Sequence, residues 1–128
     1  TDAGLINLLD DPATITKKFK RAVTDSDGEV RYDPATKPGV SNLLDILAGA
    51  TGGEPATLAK GYTQYGPLKQ DAGEAVAELL VPVQARYHAL IADPGELASL
   101  LRKGSDKART VAAATLGRTY HALGLAGA

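Results

Sequence analysis

The residues best able to do chemistry are basic. From Leu101 onward the chain carries Arg102, Lys103, Lys107, Arg109 and Arg118 against a single acid, Asp106, in a protein whose formal net charge is −1. At helical spacing Lys103 and Lys107 lie one turn apart on one flank, and Arg102 and Arg109 lie on the other. Cations held on a rigid helix suit phosphate binding, because each phosphate they neutralise releases counterions. A solvated helix face accounts for the same spacing. A second cationic run, Lys17, Lys20 and Arg21 with Lys18 at its flank, falls on the outer side of an earlier helical pattern.

Other chemistries find little support. With no cysteine there is no thiol nucleophile, disulfide or cysteine zinc site. Gly49-Ala50-Thr51-Gly52-Gly53 is rich in glycine but lacks the Lys-Ser/Thr of a phosphate loop, so it reads as a helix end. His88 and His121 fall opposite the apolar stripes of their helices, with no acidic cluster at ligand spacing, which leaves no metal site. Asp25, Asp27, Glu29 and Asp33 lack the frame of a calcium loop and suit turns and caps instead. Arg86 projects toward the side of Leu79 and Leu90 and needs a partner or a way out to solvent. No catalytic constellation is visible.

The elements that position these residues are helices. Ala and Leu make up 39 of 128 residues, aromatics are few, and no apolar run approaches a membrane span. A 44% apolar, 23% charged composition is globular, and a chain of this length is expected to form one domain. The absence of any Met reads as a piece of something longer. Asp10-Asp11-Pro12 predicts a helix start after an apolar lead-in over residues 1–11, with Ile15, Phe19, Ala22 and Val23 on its inner side to about Thr24. Asp25 to Lys37 reads as a loop with at most one tiny strand. Val40, Leu43, Leu44 and Leu47 predict a short core helix closed by glycines, and Pro55 a brief turn of helix to about Lys60.

Two long antiparallel helices are expected to complete an all-α fold. The first, 67–92, has the stripe Leu68, Ala72, Ala75, Leu79, Val83 and Leu90, with Pro82 bending it. The second follows Asp93-Pro94-Gly95-Glu96, an N-cap, a first-turn proline and an N3 glutamate. It turns Leu97, Leu101, Ala108, Val111, Leu116 and Leu123 inward, and its small residues Gly104 and Ala108 would permit close helix approach.

The segment Ala22-Val23-Thr24-Asp25-Ser26-Asp27-Gly28-Glu29-Val30-Arg31-Tyr32-Asp33-Pro34, followed by Lys37-Pro38-Gly39-Val40-Ser41-Asn42-Leu43-Leu44, resembles the bacterial tryptophanyl-tRNA synthetases. So do Leu8-Leu9-Asp10-Asp11-Pro12 and Pro82-Val83-Gln84-Ala85-Arg86-Tyr87, in register along nearly the whole chain.

The resemblance implies the carboxy-terminal part of a class I synthetase, starting just after its Lys-Met-Ser-Lys-Ser loop, with residues 1–128 as an α-helical anticodon-binding region. It implies a cytoplasmic homodimer that joins tryptophan to its tRNA through an adenylate made from ATP and magnesium. The family's catalytic motifs have no counterpart here, so no catalytic residue carries over, and the segment alone is expected to be inactive and to hold no cofactor. Arg102, Lys103, Lys107 and Arg109 become the candidate tRNA contacts. The competing expectation is a self-contained helical interaction module with no RNA role.

Overall fold

A computed structural model describes residues 4–125, so residues 1–3 of the expected lead-in and residues 126–128 of the expected helical region lie outside the described residues. Among the described residues there are five helices and no strand: α1 Pro12–Lys20, α2 Pro38–Thr51, α3 Pro55–Ala59, α4 Tyr65–Ala92 and α5 Pro94–Ala122. The expectation of an all-α chain ending in two long helices is met. The tiny strand at Glu29–Tyr32 does not form. By its packing the chain divides into two compact units, Thr1–Ala85 and Arg86–Ala128.

Four of the five helices begin on a proline, which has no N–H to leave unsatisfied in the first turn. Three of those also have a carboxylate cap. Asp11 accepts from the backbone N–H of Thr14 at 3.0 Å, Glu54 from those of Ala56 and Thr57, and Asp93 from that of Glu96 at 2.9 Å. Helix α2 ends at Gly52, whose φ of 78° is the left-handed conformation that a residue with a side chain adopts only at a cost. This confirms the glycine run as a helix end.

The core of the first unit gathers Ile15 and Phe19 of α1, Val40, Leu43, Leu44 and Leu47 of α2, Ala59 of α3, and Leu68, Ala72, Ala77 and Leu80 of α4. Helix α1 stops four residues short of the expected Thr24. Val23, expected inside, is 87% exposed, because the chain leaves the helix to lay its Val23 carbonyl against Gly39, where no side chain intervenes. Lys69 then holds the departing segment by donating to the Thr24 hydroxyl at 3.1 Å.

The buried stripe of α4 also differs from the expected one. Leu68 and Ala72 are buried as expected, but the stripe continues through Gly73, Ala77 and Leu80, while Leu79 and Val83 are exposed. The cause is Gly73. A Cβ there would lie 3.2 Å from the Cβ of Phe19 and 3.3 Å from the Cα of Thr16, so α1 seats in the space a side chain would fill and turns that face of α4 inward.

Helix α5 corrects a further expectation. Leu97, Leu101, Ala108, Val111, Leu116 and Leu123 do share one side at helical spacing, yet no residue of α5 is buried: Leu101 is 65% and Val111 68% exposed. Neither Gly104 nor Ala108 serves a close approach, and nothing lies within 4 Å of the position a Cβ on Gly104 would take.

Candidate functional site: the cationic face of α5

The net charge of −1 conceals a division of charge between the two units. Thr1–Ala85 holds eight Lys and Arg against twelve Asp and Glu, whereas Arg86–Ala128 holds six against three. A polyanion is therefore attracted to the second unit and repelled, on average, by the first.

Within the second unit α5 presents Arg102, Lys103, Lys107 and Arg109, all exposed, over the half of the helix opposite the apolar side. Among the described residues no carboxylate pairs with Arg102, Lys103 or Lys107. Arg109 donates to Asp106 at 3.0 Å, an exposed pair that partly neutralises one of the four. Arg118 lies one turn or more beyond, on the flank of the lysines, and donates weakly to the Thr115 hydroxyl at 3.4 Å. The arrangement offers positive charge along one helix with little internal compensation, which suits a run of phosphates.

Arg86 finds the partner it needs: its guanidinium donates to Glu96 at 2.8 Å, both side chains being about half exposed. That pair occupies the N3 glutamate of α5, so Glu96 ties the start of α5 to the end of α4 instead of completing a reciprocal capping box. His88 and His121 are exposed, and the Tyr87 ring meets that of His88 edge-on with centroids 5.4 Å apart.

The acidic string of the first unit does turn and capping work. Asp25 accepts from the N–H of Asp27, Asp27 from that of Glu29, and Asp33 from those of Ala35 and Thr36. It also does something the sequence did not signal. Lys37, which reads as part of a Lys-Pro-Gly breaker, is only 2% exposed, and its ammonium is held by Asp25, Asp27 and the Tyr65 hydroxyl. Burial alone pushes that ammonium down, but the hydrogen bonds to Asp27, Tyr65 and Asp25 outweigh it and raise it above an ordinary lysine. Lys37 in turn holds the Asp27 carboxyl well below the usual carboxylate range. The only available signal was an acid-rich loop just ahead of one lysine.

No cofactor site emerges from these groups. Among the described residues no cluster of three or more His, Cys, Asp or Glu is placed to hold a metal ion, and the glycine run is spent on closing α2. No helix among the described residues is long and apolar enough to cross a membrane.

Residues 1–81 match the family described as tRNA synthetases class I (W and Y), and the chain belongs to that family. Its relatives narrow the comparison. It is 51% identical over 125 residues to tryptophan–tRNA ligase 1 of Streptomyces coelicolor, an alignment covering 98% of this chain and 37% of that protein. It is likewise 51% identical over 126 residues to tryptophan–tRNA ligase of Mycobacterium leprae, covering 97% and 37% respectively. The crystal structure of tryptophanyl-tRNA synthetase from Mycoplasma pneumoniae superposes with a TM-score of 0.85 at 28% identity, covering 98% of this chain and 39% of that one. The chain thus spans under two fifths of the length of these relatives.

Proposed function

We propose that this chain is the helical, tRNA-holding part of a tryptophan–tRNA ligase, and that residues 1–128 form its anticodon-binding region with the cationic face of α5 as contact surface. The observation that carries the reading is identity of about one half with ligases named for tryptophan, sustained over almost the whole chain. In this reading tryptophan, ATP and magnesium bind to the remaining length of the enzyme, which works as a cytoplasmic homodimer. The chain by itself activates no tryptophan. Lys103 and Lys107 act as point charges on phosphates, whereas the planar forks of Arg102 and Arg109 suit bidentate or stacked contact with anticodon bases.

The test is binding of tryptophan tRNA to the longer enzyme at several salt concentrations, with the four single Ala variants and an anticodon-swapped tRNA. Lys103→Ala and Lys107→Ala should weaken binding and flatten its salt dependence, each by just under one in log–log slope for the phosphate it no longer neutralises. Arg102→Ala or Arg109→Ala should lose discrimination between anticodons, on the order of 1–3 kcal/mol. Asp106→Ala should tighten binding, since it frees Arg109. Four Ala variants identical to wild type in affinity and slope would reduce the face to a solvated surface.

A helical interaction module remains the second reading, and the apolar side of α5 favours it: Leu101, Val111, Leu116 and Leu123 together expose a stripe suited to another protein surface. A salt-dependent preference for one tRNA separates the two.

A further inference from the structure

Helix α1 contains no acidic residue, and its last turns place Lys17, Lys20 and the capping Arg21 within an arc of about 100°. All three are exposed, and among the described residues none lies in ion-pair reach of a carboxylate. Their neighbour Lys18 is engaged differently: it donates to the Asp10 carboxylate at 2.7 Å and to the Leu5 carbonyl at 2.8 Å, pinning the lead-in segment. A run of four cations is thereby divided into one structural lysine and three uncommitted ones. Beside them opens a hollow of about 480 Å³ lined by Pro12, Ala13, Thr16, Lys17 and Lys20.

The helix dipole favours cations in a last turn, but that effect fades within the turn and does not require three of them to go without partners. Nor does the bulk charge of the first unit explain the cluster, since acids outnumber bases there. Lys17 and Arg21 are four residues, about 6 Å of helical rise, apart, comparable with the step between successive phosphates on a strand.

We propose that this outer face of α1 is a second contact for the sugar–phosphate backbone of the tRNA, on a different unit from the α5 face. The proposal rests on the tRNA reading above. Because acids outnumber bases in the first unit as a whole, the contact is confined to this arc. It supplies charge without reading sequence, so it strengthens binding of any tRNA equally.

The experiment is equilibrium binding of the 128-residue chain to tryptophan tRNA and to an unrelated tRNA across a salt series. It compares wild type, the triple variant Lys17→Gln/Lys20→Gln/Arg21→Gln, the charge-keeping Lys17→Arg/Lys20→Arg, and Lys60→Gln as a control at an exposed lysine elsewhere on the unit. Circular dichroism midpoints check that each variant folds. The triple variant should bind both tRNAs at least tenfold more weakly at low salt, with a log–log salt slope shallower by about two. The arginine variant and Lys60→Gln should match wild type. A triple variant that matches Lys60→Gln in affinity and slope overturns the contact, and if the α5 variants still lose binding in the same assay, the tRNA reading stands without it. A triple variant that keeps RNA binding but loses binding to polyglutamate assigns the face to an acidic protein segment and equally overturns the proposal. Absence of any tRNA binding by the wild-type chain at low salt overturns both.

Discussion

The ammonium of Lys37, one residue before α2, donates to the hydroxyl of Tyr65, the first residue of α4, across 3.1 Å. The same hydroxyl donates to Asp25, and Lys37 reaches both Asp25 and Asp27. One buried cation therefore fixes the start of two helices and the loop between α1 and α2.

Lys37→Met keeps the length of the side chain but removes the charge, leaving two carboxylates and a phenol facing one another. Its urea midpoint at pH 7 should fall clearly below wild type. The pH dependence follows from the sign of each shift. The Asp27 carboxyl is depressed, so its contribution is present above the ordinary carboxylate value of 3.8 and is lost as pH falls. The raised Lys37 contributes fully below the ordinary lysine value and matters only in alkali. Asp33 is depressed independently, to about 2, first by the Thr36 hydroxyl and then by its N–H. Wild type should thus lose stability from about pH 5 downward, and Lys37→Met should show a shallower acid slope with the Asp33 part retained. Parallel slopes for the two proteins would dissociate Lys37 from Asp27.

Two glycines mark close approaches of different severity. A Cβ on Gly39 would meet the Val23 carbonyl oxygen at 2.5 Å, and backbone must move to admit it. Gly39→Ala should cost about 1–3 kcal/mol. At Gly73 the neighbours are Phe19 and Thr16 at 3.2 and 3.3 Å, tight but short of a clash, and the helix gains propensity from alanine. Gly73→Ala should therefore stay within about 1 kcal/mol of wild type, and denaturation midpoints that rank the two the other way would show that Phe19 and Thr16 cannot give way to the added methyl.

Core and α5 substitutions should separate just as sharply. Leu44 is fully buried in α2, so Leu44→Ala should cost about 2–5 kcal/mol. Ala108→Leu adds volume at an exposed position and should change stability by no more than about 0.5 kcal/mol, where a packed helix seam would have made it strongly destabilising. A large loss on Ala108→Leu in this chain would mean that α5 is covered.

Much of this was legible locally. Asp11-Pro12, Pro55 and Asp93-Pro94 read as helix starts, because a missing N–H and a capping carboxylate act within one turn and need no partner elsewhere, whereas Pro38, read as part of a breaker, and the Glu54 cap were found only in the structure. The positive charge of α5 was equally plain, since charge and helical spacing are properties of the segment itself, whereas a tRNA role for Arg102, Lys103, Lys107 and Arg109 came from the family resemblance and stands as a proposal. Tertiary structure decided which faces are used. Nothing in the spacing of Ala72, Ala75 and Leu79 told that Phe19 would seat on Gly73 and turn the buried stripe toward Ala77 and Leu80. Nor did Lys-Pro-Gly disclose a buried lysine, whose partners lie ten residues back and twenty-eight ahead. The apolar side of α5 makes the same point in reverse: periodicity determines that a helix has two sides, and only the presence of a packing partner determines whether the apolar one is buried.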